Sequence, residues 1–109
     1  MEAKVVARDK AKVVVVSGEI VLMSSPRLRD VLKDLTGKKE PRIVVDLKDV
    51  PYIDSSGLAT LVECYRETKR YKGVLRLAQL ATNVREVFRM ARLDTVFEIF
   101  ASTEEALAA

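Results

Sequence analysis

The chain has 109 residues, 49% of them hydrophobic, a formal net charge of +3, one cysteine and no histidine. That length and apolar content fit one domain, residues 1–109, with its own core, and argue against a disordered chain. A lone cysteine excludes an internal disulfide, and the lack of histidine removes the usual general base, the usual zinc ligand and the histidine-dependent catalytic triads.

The elements read in chain order. Ala3 to Ala7 and Lys12 to Ser17 are strand-like, with Arg8-Asp9-Lys10 as the turn between them. The four valines Val13 to Val16 suit a strand covered on both faces, and Gly18 ends it. Ser24 or Ser25 can cap a first helix, with Pro26 at its first position, where a missing N–H costs nothing. Leu28, Val31, Leu32 and Leu35 give that helix one apolar face, and Gly37 stops it. Arg42 to Leu47 is a central strand after Pro41. A second helix opens at Asp54-Ser55-Ser56-Gly57, runs on Leu58, Leu61, Val62 and Tyr65 to about Tyr71, and is terminated by Gly73. Val74 to Ala78 is a short strand. Asn83 and Glu86 stand at capping-box spacing for a third helix, with Val84, Val87, Phe88 and Ala91 as its buried stripe. Val96 to Phe100 reads as a last strand, and Ser102 with Glu105 caps a small terminal helix.

The fold class expected is α/β: a mostly parallel open sheet with an antiparallel N-terminal edge hairpin and about four helices. In such sheets, sites gather at the carboxyl ends of the strands. The loop at Asp54 is at one such end, and the loop from Gly18 to Ser25 is at another, on the same side.

Several function classes fall away. No apolar run approaches the ~20 residues of a membrane-spanning helix. Met1-Glu2-Ala3-Lys4 leads straight into strand-like Val5-Val6, with no visible signal peptide, so a cytoplasmic protein is expected. The densest basic cluster, Arg66, Lys69, Arg70 and Lys72, is interrupted by Glu67 and Tyr71, which argues against direct nucleic-acid binding. Cys64 falls within a helical pattern and reads as a bland, partly buried side chain. Without histidine, Ser55 and Ser56 have no good base, and neither a Gly-x-Ser-x-Gly elbow nor a phosphate-cradling glycine loop is present. The chain is not expected to be an enzyme or to carry a cofactor.

Asp54, Ser55, Ser56 and Gly57 fit two roles. They are ordinary turn-and-cap residues, which local physics favours. They also suit a serine that serves as a substrate. A phosphoserine carries about −1.5 to −2 charges, which the dipole and free N–H groups of a helix start accept. A partner fitted to the neutral surface would then meet uncompensated charge. Gly57 would let a partner approach closely.

These residues resemble the STAS-domain family, and within it the bacterial anti-sigma factor antagonists. The likeness rests on Ile43-Val44-Val45-Asp46-Leu47, then Val50, Tyr52 and Ile53, then Asp54-Ser55-Ser56-Gly57-Leu58 and Leu61. It extends to Gly18-Glu19-Ile20, to Gly73-Val74-Leu75-Arg76-Leu77, and to Val84, Val87, Phe88, Leu93, Val96 and Phe97. The resemblance implies a protein that binds an anti-sigma factor with serine-kinase activity, the ATP being held by that partner. It implies phosphorylation at Ser55, reversal by a serine phosphatase, and release of a sigma factor by the unmodified form. Asp54, Ser56, Gly57 and Leu58 would form the partner-binding surface with Met23, Ser24 and Ser25 of the neighbouring loop. Two positions depart from the family pattern. Val21 stands where relatives often have aspartate, and Ala59 where they often have glycine. The Val21 departure keeps open an alternative, a constitutive STAS interaction module of a signalling scaffold or transport complex that is not phosphorylated.

Overall fold

The computed structural model describes residues 1–109. Its element order is β1 (Glu2–Arg8), β2 (Ala11–Ser17), α1 (Ser25–Gly37), β3 (Arg42–Asp49), α2 (Ser55–Arg70), β4 (Val74–Ala78), α3 (Thr82–Met90), a 3-10 turn (Leu93–Thr95), β5 (Glu98–Phe100) and α4 (Thr103–Ala108). The five strands form one sheet in sequential order, β1 to β5. β1 and β2 pair antiparallel, and β2, β3, β4 and β5 pair parallel. This is the mixed sheet with an antiparallel edge hairpin that the hydrophobic patterning implied.

Each central strand is apolar on both sides because both faces are covered. On one face Val14, Val16, Ile43, Val45, Leu47, Leu75 and Leu77 meet Leu28, Leu32 and Leu35 of α1, Leu58, Leu61 and Cys64 of α2, and Val84 and Phe88 of α3. On the other face Ala11, Val13, Val44 and Ala78 meet Ala106 and Leu107 of α4. The valine run of β2 is thereby divided between two cores. Burying a leucine or valine stabilises the fold by roughly 1.5–3 kcal/mol. The three larger helices therefore hold one face firmly, while the short α4 covers only the middle of the other. Arg42 and Arg76 donate to the carbonyls of Leu107 and Ala106 at the end of α4, where a helix C-terminus favours cations.

Several local expectations are corrected. Pro26 is the second helical residue, because α1 begins at Ser25. Gly73 does not take the left-handed conformation that ends α2; Lys72 does, at φ 64°. Asn83 does not cap α3, whose N-cap is Ala81. Its amide donates instead to the Pro51 carbonyl, and Glu86 pairs with Arg89 rather than with the helix start. Ala91 is exposed and adds nothing to the α3 stripe. The last strand starts at Glu98, because the 3-10 turn consumes the residues before it. Phe97 is buried edge-on against Tyr65 and Phe88, at ring-centre distances of 5.3 and 5.7 Å, which fixes the turn in place.

Candidate functional site: the loop pair at Asp54 and Ser55

β2 and β3 run parallel, so the loops that leave them emerge side by side. They are hydrogen-bonded to each other. The Gly18 amide donates to the Asp49 carbonyl at 3.0 Å, the Ile20 amide to the Tyr52 carbonyl at 3.0 Å, and the Asp54 amide to the Ile20 carbonyl at 3.1 Å. Ile20 and Ile53 form an isolated parallel bridge, both buried. Gly18 has φ of 90°, a conformation that side chains other than glycine rarely adopt, and it turns the chain out of β2. On the far side, the Asn83 bond to Pro51 ties the β3–α2 loop to α3.

Asp54 joins the two loops. It is the N-cap of α2, and its Oδ1 accepts from the Ser56 amide at 2.9 Å and the Gly57 amide at 3.2 Å. Its Oδ2 accepts from the Leu22 amide at 3.1 Å. One carboxylate thus caps a helix and anchors the facing loop. The amides of Ser56 and Gly57 are consequently already taken, and Leu58 donates to the Asp54 carbonyl at 3.1 Å. This corrects the expectation that free first-turn N–H groups would receive a phosphate. What remains for one at Ser55 is the helix dipole and the residue's own amide, beside a carboxylate of like charge.

Ser55 is the first residue of α2 and is exposed. Ser56 is half-buried, and its carbonyl accepts from the buried Thr60 hydroxyl at 3.0 Å. Gly57 is buried. A Cβ built on it would lie 2.5 Å from Ile53 Cγ1, 2.8 Å from Ile20 Cγ2 and 2.9 Å from the Ile20 carbonyl oxygen. The glycine therefore serves close packing of α2 on the loop pair, facing inward rather than toward a partner. Leu58 is likewise buried in the main core, and it anchors the helix.

In the facing loop, Met23 is 90% exposed and Leu22 is 70% exposed. Ser24 occupies the N-cap of α1 but makes no side-chain cap bond. Its hydroxyl accepts from the Val21 amide at 2.9 Å and donates to the Glu19 carbonyl at 2.7 Å, so it braces the loop. Ser25 is buried. Val21 is half-buried, and its carbonyl accepts from the amides of Ser24 and Ser25. Tyr52, on the loop between β3 and α2, is 46% exposed, so the two joined loops carry three exposed large apolar side chains with Leu22 and Met23. Sequence reasoning assigned no site role to Leu22 or Tyr52. The signal available was large apolar side chains in turns flanking the two glycines.

Chemically, the site offers an exposed hydroxyl, exposed apolar side chains on the two joined loops and a carboxylate already committed to three amides. It holds no group of residues able to ligate a metal. Cys64 lies beneath the middle of α2, away from this surface; burial pushes its thiol up to about 12, with Glu63 and Glu67 adding to the effect. No helix is long and apolar enough to cross a membrane.

Comparison with known proteins agrees with this architecture. The STAS domain family model matches residues 2–106. The anti-sigma-B factor antagonist of Bacillus subtilis is 33% identical over 89 residues, which cover 82% of this chain and 81% of that protein. BtrV of Bordetella bronchiseptica, described as an anti-sigma factor antagonist, is 30% identical over 101 residues, covering 93% of this chain and 87% of the relative. The crystal structure of an anti-sigma factor antagonist from Mycobacterium paratuberculosis superposes with a TM-score of 0.91 at 26% identity, covering 98% of this chain and 91% of the other. This chain belongs to the STAS domain family.

Proposed function

We propose that the chain is an anti-sigma factor antagonist: it binds an anti-sigma factor with serine-kinase activity through the Ser55 loop pair and is switched off by phosphorylation of Ser55. The observation that carries this reading is the placement of Ser55. It is an exposed hydroxyl at the first turn of a helix, on a loop pair that the Asp54 carboxylate ties together and that carries the exposed side chains of Leu22, Met23 and Tyr52. Relatives that share nearly the whole chain are named as antagonists of anti-sigma factors. The partner holds the ATP, and a serine phosphatase restores the unmodified form.

The switch is electrostatic. A dianion on Ser55 adds charge beside Asp54 on a loop pair that carries exposed apolar side chains, so docking against the unmodified surface would have to desolvate that charge. The helix survives because the Ser56, Gly57 and Leu58 amides already have partners on Asp54. Incubation with the cognate kinase and ATP tests the assignment: wild type is labelled and Ser55→Ala is not. Equal labelling of both removes Ser55 from the mechanism.

A second reading, a constitutive STAS interaction module without phosphorylation, is favoured by one feature. Val21 places a half-buried apolar side chain in the loop where relatives often carry an acid. In that case kinase and ATP label neither form, and partner binding is indifferent to Ser55→Ala.

A further inference from the structure

The Ser55 loop pair lies at the carboxyl ends of the parallel strands. A separate surface is left open along one edge of the sheet. β1 is seven residues long and pairs on one side only, with β2, in unbroken register. It contains no proline, and its Val5 and Val6 are 43% and 41% exposed. A long, regular edge with apolar side chains is a template for one more strand. We propose that β1 pairs antiparallel with β1 of a second copy of this chain, about a two-fold axis at Val5.

The hydrogen-bonding parity of the edge restricts the pairing. Asp9 and Lys10 both have positive φ, 48° and 63°, and form a two-residue hairpin turn flanked by the Arg8–Ala11 pair. The pair that flanks such a turn exchanges both its backbone bonds. By alternation, Arg8, Val6, Lys4 and Glu2 direct their N–H and C=O groups to β2. Those of Ala3, Val5 and Ala7 face outward. A second strand must therefore meet these odd-numbered residues with its own.

Charge then selects the register. Pairing centred at Lys4 sets Lys4 against Lys4, and pairing centred at Val6 sets Lys4 against Arg8. Both place like charges directly opposite, which destabilises a strand pair. Pairing centred at Val5 sets Glu2 against Arg8 at both ends, Ala3 against Ala7, Lys4 against Val6, and Val5 against itself. The Glu2–Arg8 pairs then fall at non-hydrogen-bonded positions, where opposed side chains approach most closely. The sequence Glu-Ala-Lys-Val-Val-Ala-Arg is thus self-complementary in charge at the one central register that avoids opposing like charges. Within the monomer, Glu2 stands 3.7 Å from Arg27 and Arg8 stands 3.4 Å from Glu104, all at exposed positions, so both side chains can re-pair.

A single strand edge buries less than the roughly 1,000 Å² of a stable interface, so the dimer is weak, with a dissociation constant on the order of 100 µM. The two-fold axis sends the carboxyl ends of β2 in the two copies in opposite directions. Both Ser55 surfaces stay open, and the inference stands independently of the phosphorylation switch.

Sedimentation velocity on the full chain from about 10 µM to about 1 mM tests it, with amide exchange read by NMR across the same range. The average mass is expected to rise toward the dimer. The amides of Ala3, Val5 and Ala7 should gain protection with concentration, while those of Lys4 and Val6 stay as they are. Arg8→Glu and Glu2→Arg should each weaken association by about fivefold, and the two together should restore it. Circular dichroism checks that each variant is folded, both residues being exposed. A chain that stays monomeric at the highest concentration overturns the proposal. So does a dimer whose odd-numbered β1 amides remain unprotected, or one indifferent to the charge exchange, since either places the contact, or a different partner strand, elsewhere.

Discussion

Replacing Asp54 separates its two structural jobs. In Asp54→Ala, the Ser56 and Gly57 amides lose their acceptor and the Leu22 amide loses its own. Loss of an N-cap costs about 1 kcal/mol. A hydrogen bond to a charged group is worth about 1.5 kcal/mol at the low end, which suits the exposed Leu22 amide. The alanine variant should therefore lose about 2.5 kcal/mol. Asparagine caps helices as well as aspartate does, so Asp54→Asn keeps the bonds to Ser56 and Gly57. Its amide nitrogen, however, would face the Leu22 N–H, donor against donor. That variant should lose about 1.5 kcal/mol. Urea unfolding with an unchanged m-value measures both losses. Amide exchange locates them: Leu22 should exchange faster in both variants, Ser56 and Gly57 only in the alanine one. If both variants unfold within about 0.5 kcal/mol of wild type, the range of neutral surface changes, the carboxylate does not join the loops.

Two glycines in helices should respond to alanine with opposite signs. Gly57→Ala forces a methyl against Ile20 and Ile53 and should destabilise the chain by about 1–3 kcal/mol in urea unfolding. Gly37→Ala, at the exposed end of α1 with nothing within 4 Å of its Cβ position, should stabilise it by about 0.4–1 kcal/mol. Cys64 predicts alkaline behaviour. Its folded thiol titrates at about 12 against an ordinary value of 9.0, so the unfolded chain loses its proton first. Stability from this group is then full below about pH 9 and falls as pH rises toward about 12. Tyr71, raised to about 12 by burial and by Cys64, Glu40 and Glu67, falls in the same direction, its hydroxyl donating to the Glu40 carbonyl at 2.8 Å. Urea midpoints from pH 8 upward should therefore decline, less steeply in Cys64→Ala; equal slopes would contradict the burial argument. A thiol reagent at neutral pH should label Cys64 only after unfolding.

The elements that could be read from sequence were those whose pattern is set by burial. The valine run of β2, the Leu28–Leu35 face of α1 and the Ser102 cap of α4, which accepts from the Glu105 amide at 3.1 Å, all stand as the spacing indicated. Asn83 and Glu86 have the same spacing as Ser102 and Glu105, yet tertiary partners claim both: Pro51 takes the asparagine and Arg89 the glutamate. The α2 terminator went to Lys72 rather than Gly73, because a left-handed residue is decided by where the chain must turn. The helix-start positions of Asp54 and Ser55 were readable from their place before a helical pattern. The inward role of Gly57 was not, since it depends on the approach of Ile20 across the sheet. Nor was the Asp54–Leu22 bond, whose donor is a backbone amide that no side-chain pattern reports.

The central claim is that a phosphate on Ser55 leaves the architecture intact and abolishes docking of the anti-sigma partner. Calorimetric titration of that partner with unmodified and Ser55-phosphorylated chain, each checked by its amide spectrum, tests it most directly. The account predicts near-identical spectra away from Leu22 to Leu58 and a loss of affinity of at least about 100-fold, equivalent to about 2.7 kcal/mol. Equal affinity for the two forms would contradict it.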